Sequence, residues 1–342
     1  MAYTPLTRIE LTRFTAFAKL DHELSPRFNV FIGTNGTGKT HLLKLLYAAG
    51  ASTQKETRFS DKLTNVFKPF ENRPGRLVRR MRKSATSTIR VHRGEFRITL
   101  TFSSHAASTE GLSAKVASWK DEPLKCVYIP VKEVLAQAAG FRSLYKEYQL
   151  RFDETHVDLI DWALKPKRRG PPDAVRRKLL ELIERHIAGT VSVEKEEFFL
   201  KNEHGDLEFT LLGEGLRKLE LIWLLIQNGT LFEGSVLFWD EPEANLNPRV
   251  IGVVAEILLE LARHGVQIFV ATHDYVFLKE LDLRRKEGDQ VAFHALFRED
   301  GDREKGVKLK TTHELAMLEP NVIRETYLGL LDREAERDFN ES

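Results

Sequence analysis

One short run constrains this chain more than any other. Gly33-Thr34-Asn35-Gly36-Thr37-Gly38-Lys39-Thr40 spells G-x-x-x-x-G-K-T. The apolar run Phe28, Val30, Phe31, Ile32 precedes it, and the helix-forming stretch His41-Leu42-Leu43-Lys44-Leu45-Leu46-Tyr47 follows. A buried strand, a glycine turn and a helix in that order make a phosphate-binding P-loop. The glycines let backbone N–H groups turn inward as an anion nest. The helix aims its positive N-terminal end at the same phosphates. The expected phosphate cradle is Gly33, Thr34, Asn35, Gly36, Thr37, Gly38, Lys39, Thr40 and His41. Lys39 is expected at the β- and γ-phosphates, and the Thr40 hydroxyl at Mg²⁺.

A second set of residues completes such a site. Val236-Leu237-Phe238-Trp239-Asp240-Glu241 is an apolar strand that ends in two carboxylates. Asp240 at the strand end suits Mg²⁺ held through water. Glu241 stands where it can orient or deprotonate an attacking water. Gln267-Ile268-Phe269-Val270-Ala271-Thr272 is another continuous apolar strand, and His273 follows it. Ligands bind at the carboxyl ends of strands in doubly wound sheets, which is where His273 falls. Gly213-Glu214-Gly215 opens a long apolar helix and is a further candidate phosphate cradle.

The rest of the chain reads as an α/β fold. Ile9-Glu10-Leu11 and Phe17-Ala18-Lys19-Leu20 form an early antiparallel pair, and Ser87–Val91 with Phe96–Leu100 a hairpin around Arg93-Gly94. Residues 50–85 are polar, with turn signals at Asn72 and Pro74-Gly75, and read as an exposed insertion. Cys126–Ile129 is a short buried strand. Lys132 to about Ala188 is helical in pattern, broken by the basic turn Lys165–Pro172. A helix over Val250–Arg263 begins after Asn247-Pro248. Strands at Val291–Leu296 and Val307–Leu309 follow, then a helix from about Pro320.

The expected division is an N-terminal half over 1–130, a helical insertion over 131–204, a C-terminal half over 205–311 and a helical tail over 312–342. A formal net charge of +2 points to no particular partner. The single Cys126 excludes an internal disulfide and a cysteine metal site. No apolar run approaches the ~20 residues of a membrane span, and charges near the N-terminus do not fit a signal peptide. A cytoplasmic protein is expected.

The order of these parts resembles ABC-type ATPases of the SMC/RecF/OLD-like group, especially short stand-alone AAA family proteins. The resemblance makes Gly33–Thr40 the Walker A loop, Leu212–Leu219 the signature and Asp240-Glu241 the Walker B pair. It makes Asn245-Leu246-Asn247 the D-loop position and His273 the switch histidine. It implies a P-loop ABC head with an antiparallel β subdomain. It also implies two heads facing each other, with ATP and Mg²⁺ held between Walker A of one copy and the signature of the other. Gly213 stands where the signature usually has Ser, which removes a hydroxyl donor and predicts slow hydrolysis. Glu133 and Gln137 lie near the usual Q-loop glutamine. No long heptad arms are present.

OLD-type nucleases carry a metal-binding domain after the ATPase. Asp300-Gly301-Asp302 supplies a D-x-D, but between two strands it reads as a hairpin tip. The expected protein is an ATPase switch or sensor for a separately encoded effector, in anti-phage or toxin–antitoxin-like defence. A RecF-like repair ATPase and an ATP-binding scaffold are the alternatives. Two basic clusters offer a nucleic-acid or acidic-partner surface: Arg76, Arg79, Arg80, Arg82, Lys83 with Arg90, Arg93, Arg97, and Lys165, Lys167, Arg168, Arg169 with Arg176, Arg177, Lys178.

Overall fold

Six strands form the central sheet, and those at its centre are apolar on both faces. The computed structural model describes residues 4–116, 118–148, 150–299 and 305–340. β3 (Phe28–Ile32), β10 (Ser235–Asp240) and β11 (Gln267–Thr272) are buried at every position. They lie parallel beside β6 (Lys125–Ile129) and β12 (Val291–Phe297), and β13 (Lys308–Thr312) adds an antiparallel edge. The strand order is β13-β12-β3-β11-β10-β6. Side chains alternate between two cores, as period two requires. Val30, Leu237, Trp239, Ile268 and Val270 enter one core, whereas Phe31, Val236, Phe238, Phe269 and Ala271 enter the other. Continuous apolar runs are therefore the signature of a sheet covered on both faces. In the second core Phe238 stacks on Phe269 with ring centroids 5.0 Å apart, a pair worth about 0.5–1.5 kcal/mol beyond area burial.

One face carries α1 (Lys39–Ala51) and the four-stranded antiparallel sheet of β1 (Arg8–Phe14), β2 (Phe17–Glu23), β4 (Thr86–Arg93) and β5 (Phe96–Ser103), in order β2-β1-β4-β5. The hairpin expected around Arg93-Gly94 is present. The other face carries α4 (Glu154–Ala163), α5 (Ala174–Ile187), α6 (Glu214–Gln227), α7 (Pro248–Arg263) and α8 (Tyr275–Arg284). Asn247 caps α7 by accepting from the Arg249 N–H, and Pro248 opens it. The fold class read from the sequence stands: a P-loop α/β head with an antiparallel β subdomain and a helical insertion.

One expectation is corrected. Residues 50–85 are not an exposed insertion throughout. They contain α2 (Phe59–Phe67), and Phe59, Leu63 and Val66 are buried in the second core at i, i+4, i+7 spacing. Polar neighbours masked that stripe. The segment 131–204 holds α3 (Phe141–Tyr148), α4 and α5, and strands resume, as the run Val191-Ser192-Val193 suggests, in β7 (Thr190–Glu194) and β8 (Glu197–Asn202). With β9 (Gly205–Glu208) these make a small antiparallel sheet. α9 (Val322–Asn340) has no buried residue and rests on α8 by a Tyr275–Tyr327 stack at 4.4 Å. No described helix is long and apolar enough to cross a membrane. Asp300, Gly301 and Asp302 lie outside the described residues.

Candidate functional site

The P-loop joins β3 to α1 at the carboxyl edge of the sheet. Gly33 passes so close to β12 that a Cβ there would lie 2.5 Å from the Leu296 carbonyl oxygen. Gly38, at the N-cap of α1, has φ +91°, which only glycine adopts without strain. Thr37 ties the turn by donating to the Thr34 carbonyl at 2.8 Å. Thr34, Asn35 and Gly36 form its exposed tip. Lys39 is buried and folds back on the loop, donating to Gly33 O at 2.7 Å and Thr34 O at 3.3 Å. Burial lowers its pKa, opposed by the nearby charges of Glu241, Asp240 and Glu243.

Asp240 ends β10 beside the first turn of α1. Burial pushes its pKa up, and contact with the Thr40 hydroxyl works against that rise. Its Oδ2 accepts from the Tyr128 hydroxyl at 3.3 Å. Its Oδ1 is buried without a well-formed hydrogen bond among the described residues. Glu241 has φ +49°, and its N–H donates to Ala271 O of β11 at 2.8 Å. Non-glycine residues held in this region mark functional strain. The turn brings Glu241 Oε1 to 3.0 Å from His273 Nδ1. Thus Lys39, Thr40, Asp240, Glu241 and His273 converge at one edge.

The signature turn forms a second group. Gly213 is the N-cap of α6, exposed, and a Cβ there would meet nothing within 4 Å. Asn245 donates from its amide to Glu214 Oε2 at 2.9 Å. Lys218 is buried and donates to Ala244 O at 2.5 Å. Gly215 packs against the same loop, where an added Cβ would lie 3.2 Å from Asn245 O. Among the described residues, no hydrogen bond joins Gly213, Glu214 or Gly215 to the P-loop. Glu133 caps a turn at Leu135 and Ala136 and pairs with Arg217 at 3.3 Å. His41 places its ring 5.5 Å from that of Phe67 in α2, with Nδ1 buried and unpartnered.

Two residues escaped the sequence reading. Glu243, in Asp240-Glu241-Pro242-Glu243, is buried and accepts from the Thr272 hydroxyl at 2.7 Å. Thr272 in turn accepts from the Asp274 N–H at 3.0 Å, so this chain fixes the loop that bears His273. Burial pushes the Glu243 carboxyl up to about 7. Arg298, just past β12, donates to Gly36 O at 2.9 Å and braces the loop tip. A carboxylate two residues past Walker B is visible in the sequence; its burial is not.

The basic clusters are mostly exposed, with a few members drawn into the protein or paired. Arg93 is fully buried against Glu122, Arg90 pairs with Glu10 at 3.0 Å, and Arg79 donates to Ala16 O. Lys165 lies over Trp162, Lys167 over Trp223 and Arg168 over Phe232. Arg76, Arg80, Arg82, Lys83, Arg97, Lys165, Lys167, Arg168, Arg169, Arg177 and Lys178 are exposed.

Residues 28–279 match a protein family described as "AAA domain, putative AbiEii toxin, Type IV TA system". The chain belongs to this family. Within the family's AAA domain lie the P-loop, the signature turn, Asp240-Glu241 and His273. A stretch of 59 residues is 40% identical to the L-cystine import ATP-binding protein TcyN of Bacillus subtilis, spanning 17% of this chain and 20% of that protein. Another match of 59 residues is 37% identical to the DNA replication and repair protein RecF of Actinobacillus pleuropneumoniae, spanning 17% and 16%. The chain therefore matches about a fifth or less of these relatives' lengths. In fold it is similar to an Smc head bound to the C-winged helix domain of ScpA, with TM-score 0.54 and 14% identity over 90% of this chain and 97% of that one. It is also similar to an Smc head with an extended coiled coil, bound to the C-terminal domain of ScpA from Pyrococcus furiosus. There the TM-score is 0.51 at 12% identity, over 97% and 99%. The fold is that of an ABC-type ATPase head of the SMC/RecF-like class.

Proposed function

We propose that this protein binds and hydrolyses ATP with Mg²⁺ between two copies of its head, and that closure signals to a separate effector. The convergence of Lys39, Thr40, Asp240 and the Glu241–His273 pair at one strand edge carries the reading. The residues fit Mg²⁺ bound together with phosphate. Asp240 Oδ1 is a buried carboxylate oxygen in need of a partner, beside a threonine hydroxyl. Mg²⁺ takes few protein ligands and completes its shell with water and phosphate. Thr40 and Asp240 would hold that ion, which neutralises charge on the phosphate oxygens when bound.

The chain's own groups divide the remaining work. Lys39 leaves its two loop carbonyls for phosphate oxygens, a stronger charge-assisted partner. The N–H groups of Thr34–Thr40 line the turn and hold the phosphates in place. Glu241 accepts the proton of the attacking water. His273, held by Glu241 and by the Glu243–Thr272 chain, fixes the carboxylate and the water in line. Gly213, Glu214, Gly215 and Asn245 meet the nucleotide of the opposite copy. The exposure of Gly213 and Asn245, and the lack among the described residues of a hydrogen bond from this turn to its own P-loop, support that arrangement.

The family description names a toxin of a type IV toxin–antitoxin system, which favours a defence setting. Solved Smc heads engaged by ScpA support a head that addresses a separate protein. Phosphate release at saturating Mg-ATP tests the chemistry. Glu241→Gln is expected to keep ATP binding and lose ~10²–10⁴-fold in turnover. Turnover within threefold of the parent protein contradicts the assignment.

A further inference from the structure

Arg176 is out of place for an arginine. It lies one turn into α5, is only 5% exposed, and makes no hydrogen bond or ion pair through its side chain to any described residue. Its backbone N–H donates to the capping carboxylate of Asp173 at 2.9 Å. Asp173 feels the Arg176 charge, but its oxygen is committed to that cap and it stands exposed at the rim. Its Nε is buried without an acceptor, and a buried donor left unpaired is costly and rare in native proteins.

The same arginine lines a cavity of about 570 Å³. That volume lies within the range of small-molecule sites. The walls are apolar: Leu179 from α5, Ile226 from α6, Leu261 from α7, and Leu231, Phe232 and Val266 from the loops that lead into β10 and β11. Arg263 also borders it but is already neutralised by Asp289 at 2.5 Å and Glu260 at 2.7 Å. Arg27, exposed at the mouth, adds a second cation, and Glu233 an exposed anion. The cavity opens where β10 and β11 begin, at the sheet edge opposite the P-loop. It is therefore separate from the nucleotide edge.

We propose that this cavity binds a small amphipathic anion, an apolar body that ends in a carboxylate or phosphate head paired with Arg176. The apolar walls take the body, and the buried guanidinium supplies a bidentate fork for the head. Exposed Asp173 and Glu233 are screened by water, so they oppose the head group weakly. Arg176, whose side chain has no partner among the described residues, dominates the balance.

Calorimetric titration of the full chain tests this with octanoate and octyl phosphate as probes, and with octanol and acetate as controls. At least one of the two anions is expected to bind ten times more tightly than octanol or acetate, and the tighter of the pair identifies the head group. Arg176→Met is expected to lose at least tenfold in that affinity while its thermal midpoint holds or rises, because an unpaired buried charge is gone. Phe232→Asp, at an exposed wall position, is expected to lose a similar factor by adding like charge. Were Arg176→Met to unfold, Phe232→Asp would decide alone. Octanol binding as tightly as both anions, or full anion affinity in Phe232→Asp or in a folded Arg176→Met, overturns the proposal.

Discussion

The nucleotide edge and the signature turn are built in opposite ways. At the first, buried groups face one another: Lys39 is 6% exposed and Asp240 3%, and Glu241 is twisted into line with His273. At the second, Gly213 is exposed with open space around it, and its neighbours Glu214 and Asn245 bond only to each other. On the reading proposed above, one edge takes phosphate and metal. The other presents a shaped turn outward. A single head with both features has a donor half and an acceptor half that do not meet within the chain. Self-association through ATP follows naturally from that split.

The largest expected effect lies at the buried half. Lys39→Ala removes the ammonium that replaces backbone carbonyls with phosphate, and is expected to weaken ATP binding by about a hundredfold. Fluorescent nucleotide titration reads it. Unchanged affinity would mean that the buried edge is not the acceptor half.

The two halves also differ in their orphan carboxylates. On the proposed reading Asp240 Oδ1 would meet the metal, whereas Glu220 on α6 has both oxygens buried without a hydrogen bond among the described residues. Burial, with a smaller contribution from Glu133, pushes the Glu220 carboxyl up to about 8, against the opposing charge of Arg217. A carboxyl raised on folding keeps its proton in the native state. Stability is therefore lost as pH rises from the ordinary carboxylate range to about 8. Glu220→Gln mimics the protonated form. It is expected to gain about 1–3 kcal/mol at pH 9 and little at pH 5 by denaturant unfolding. Equal pH slopes for the two proteins would show that Glu220 has a partner after all.

Thr272→Val sharpens the comparison within the buried half. It cuts the Glu243–Thr272–Asp274 chain and leaves the loop of His273 less fixed. Turnover is expected to fall about tenfold with ATP affinity intact. A pure loss of affinity would place Thr272 in nucleotide binding instead. Gly213→Ser probes the presented half and carries the smallest effect. The site has room for a side chain and a φ of −64°, so the hydroxyl fits without strain. Hydrolysis or dimerisation is expected to rise about twofold to fivefold, the weight of one added hydrogen bond. Loss of both would mean that another residue aligns with the signature.

What was legible in the sequence follows the same division. Spacing and strand context located Gly33–Thr40, Asp240-Glu241 and His273, because backbone demands fix those residue types at fixed offsets. The apolar runs of β3, β10 and β11 announced a sheet covered on both faces. Burial of individual polar groups left no such trace. Phe59, Leu63 and Val66 were hidden among polar neighbours, of which Ser60, Lys62 and Thr64 are themselves buried. Arg93 and Arg176 read as surface charge until the fold placed them inside. Lys167 and Arg168 read as a phosphate stripe, although each lies over an aromatic ring. Counting charges along a chain records neither burial nor stacking, since both depend on partners distant in sequence.

The split between the halves is tested most directly by light scattering of Glu241→Gln with Mg-ATP. The variant binds nucleotide and cannot release it by hydrolysis, so the account predicts twice the monomer mass with Mg-ATP and the monomer mass without it. Double substitution with Lys39→Ala should return the monomer. A Glu241→Gln protein that stays monomeric with every site filled by ATP would contradict the claim that the two halves meet across copies.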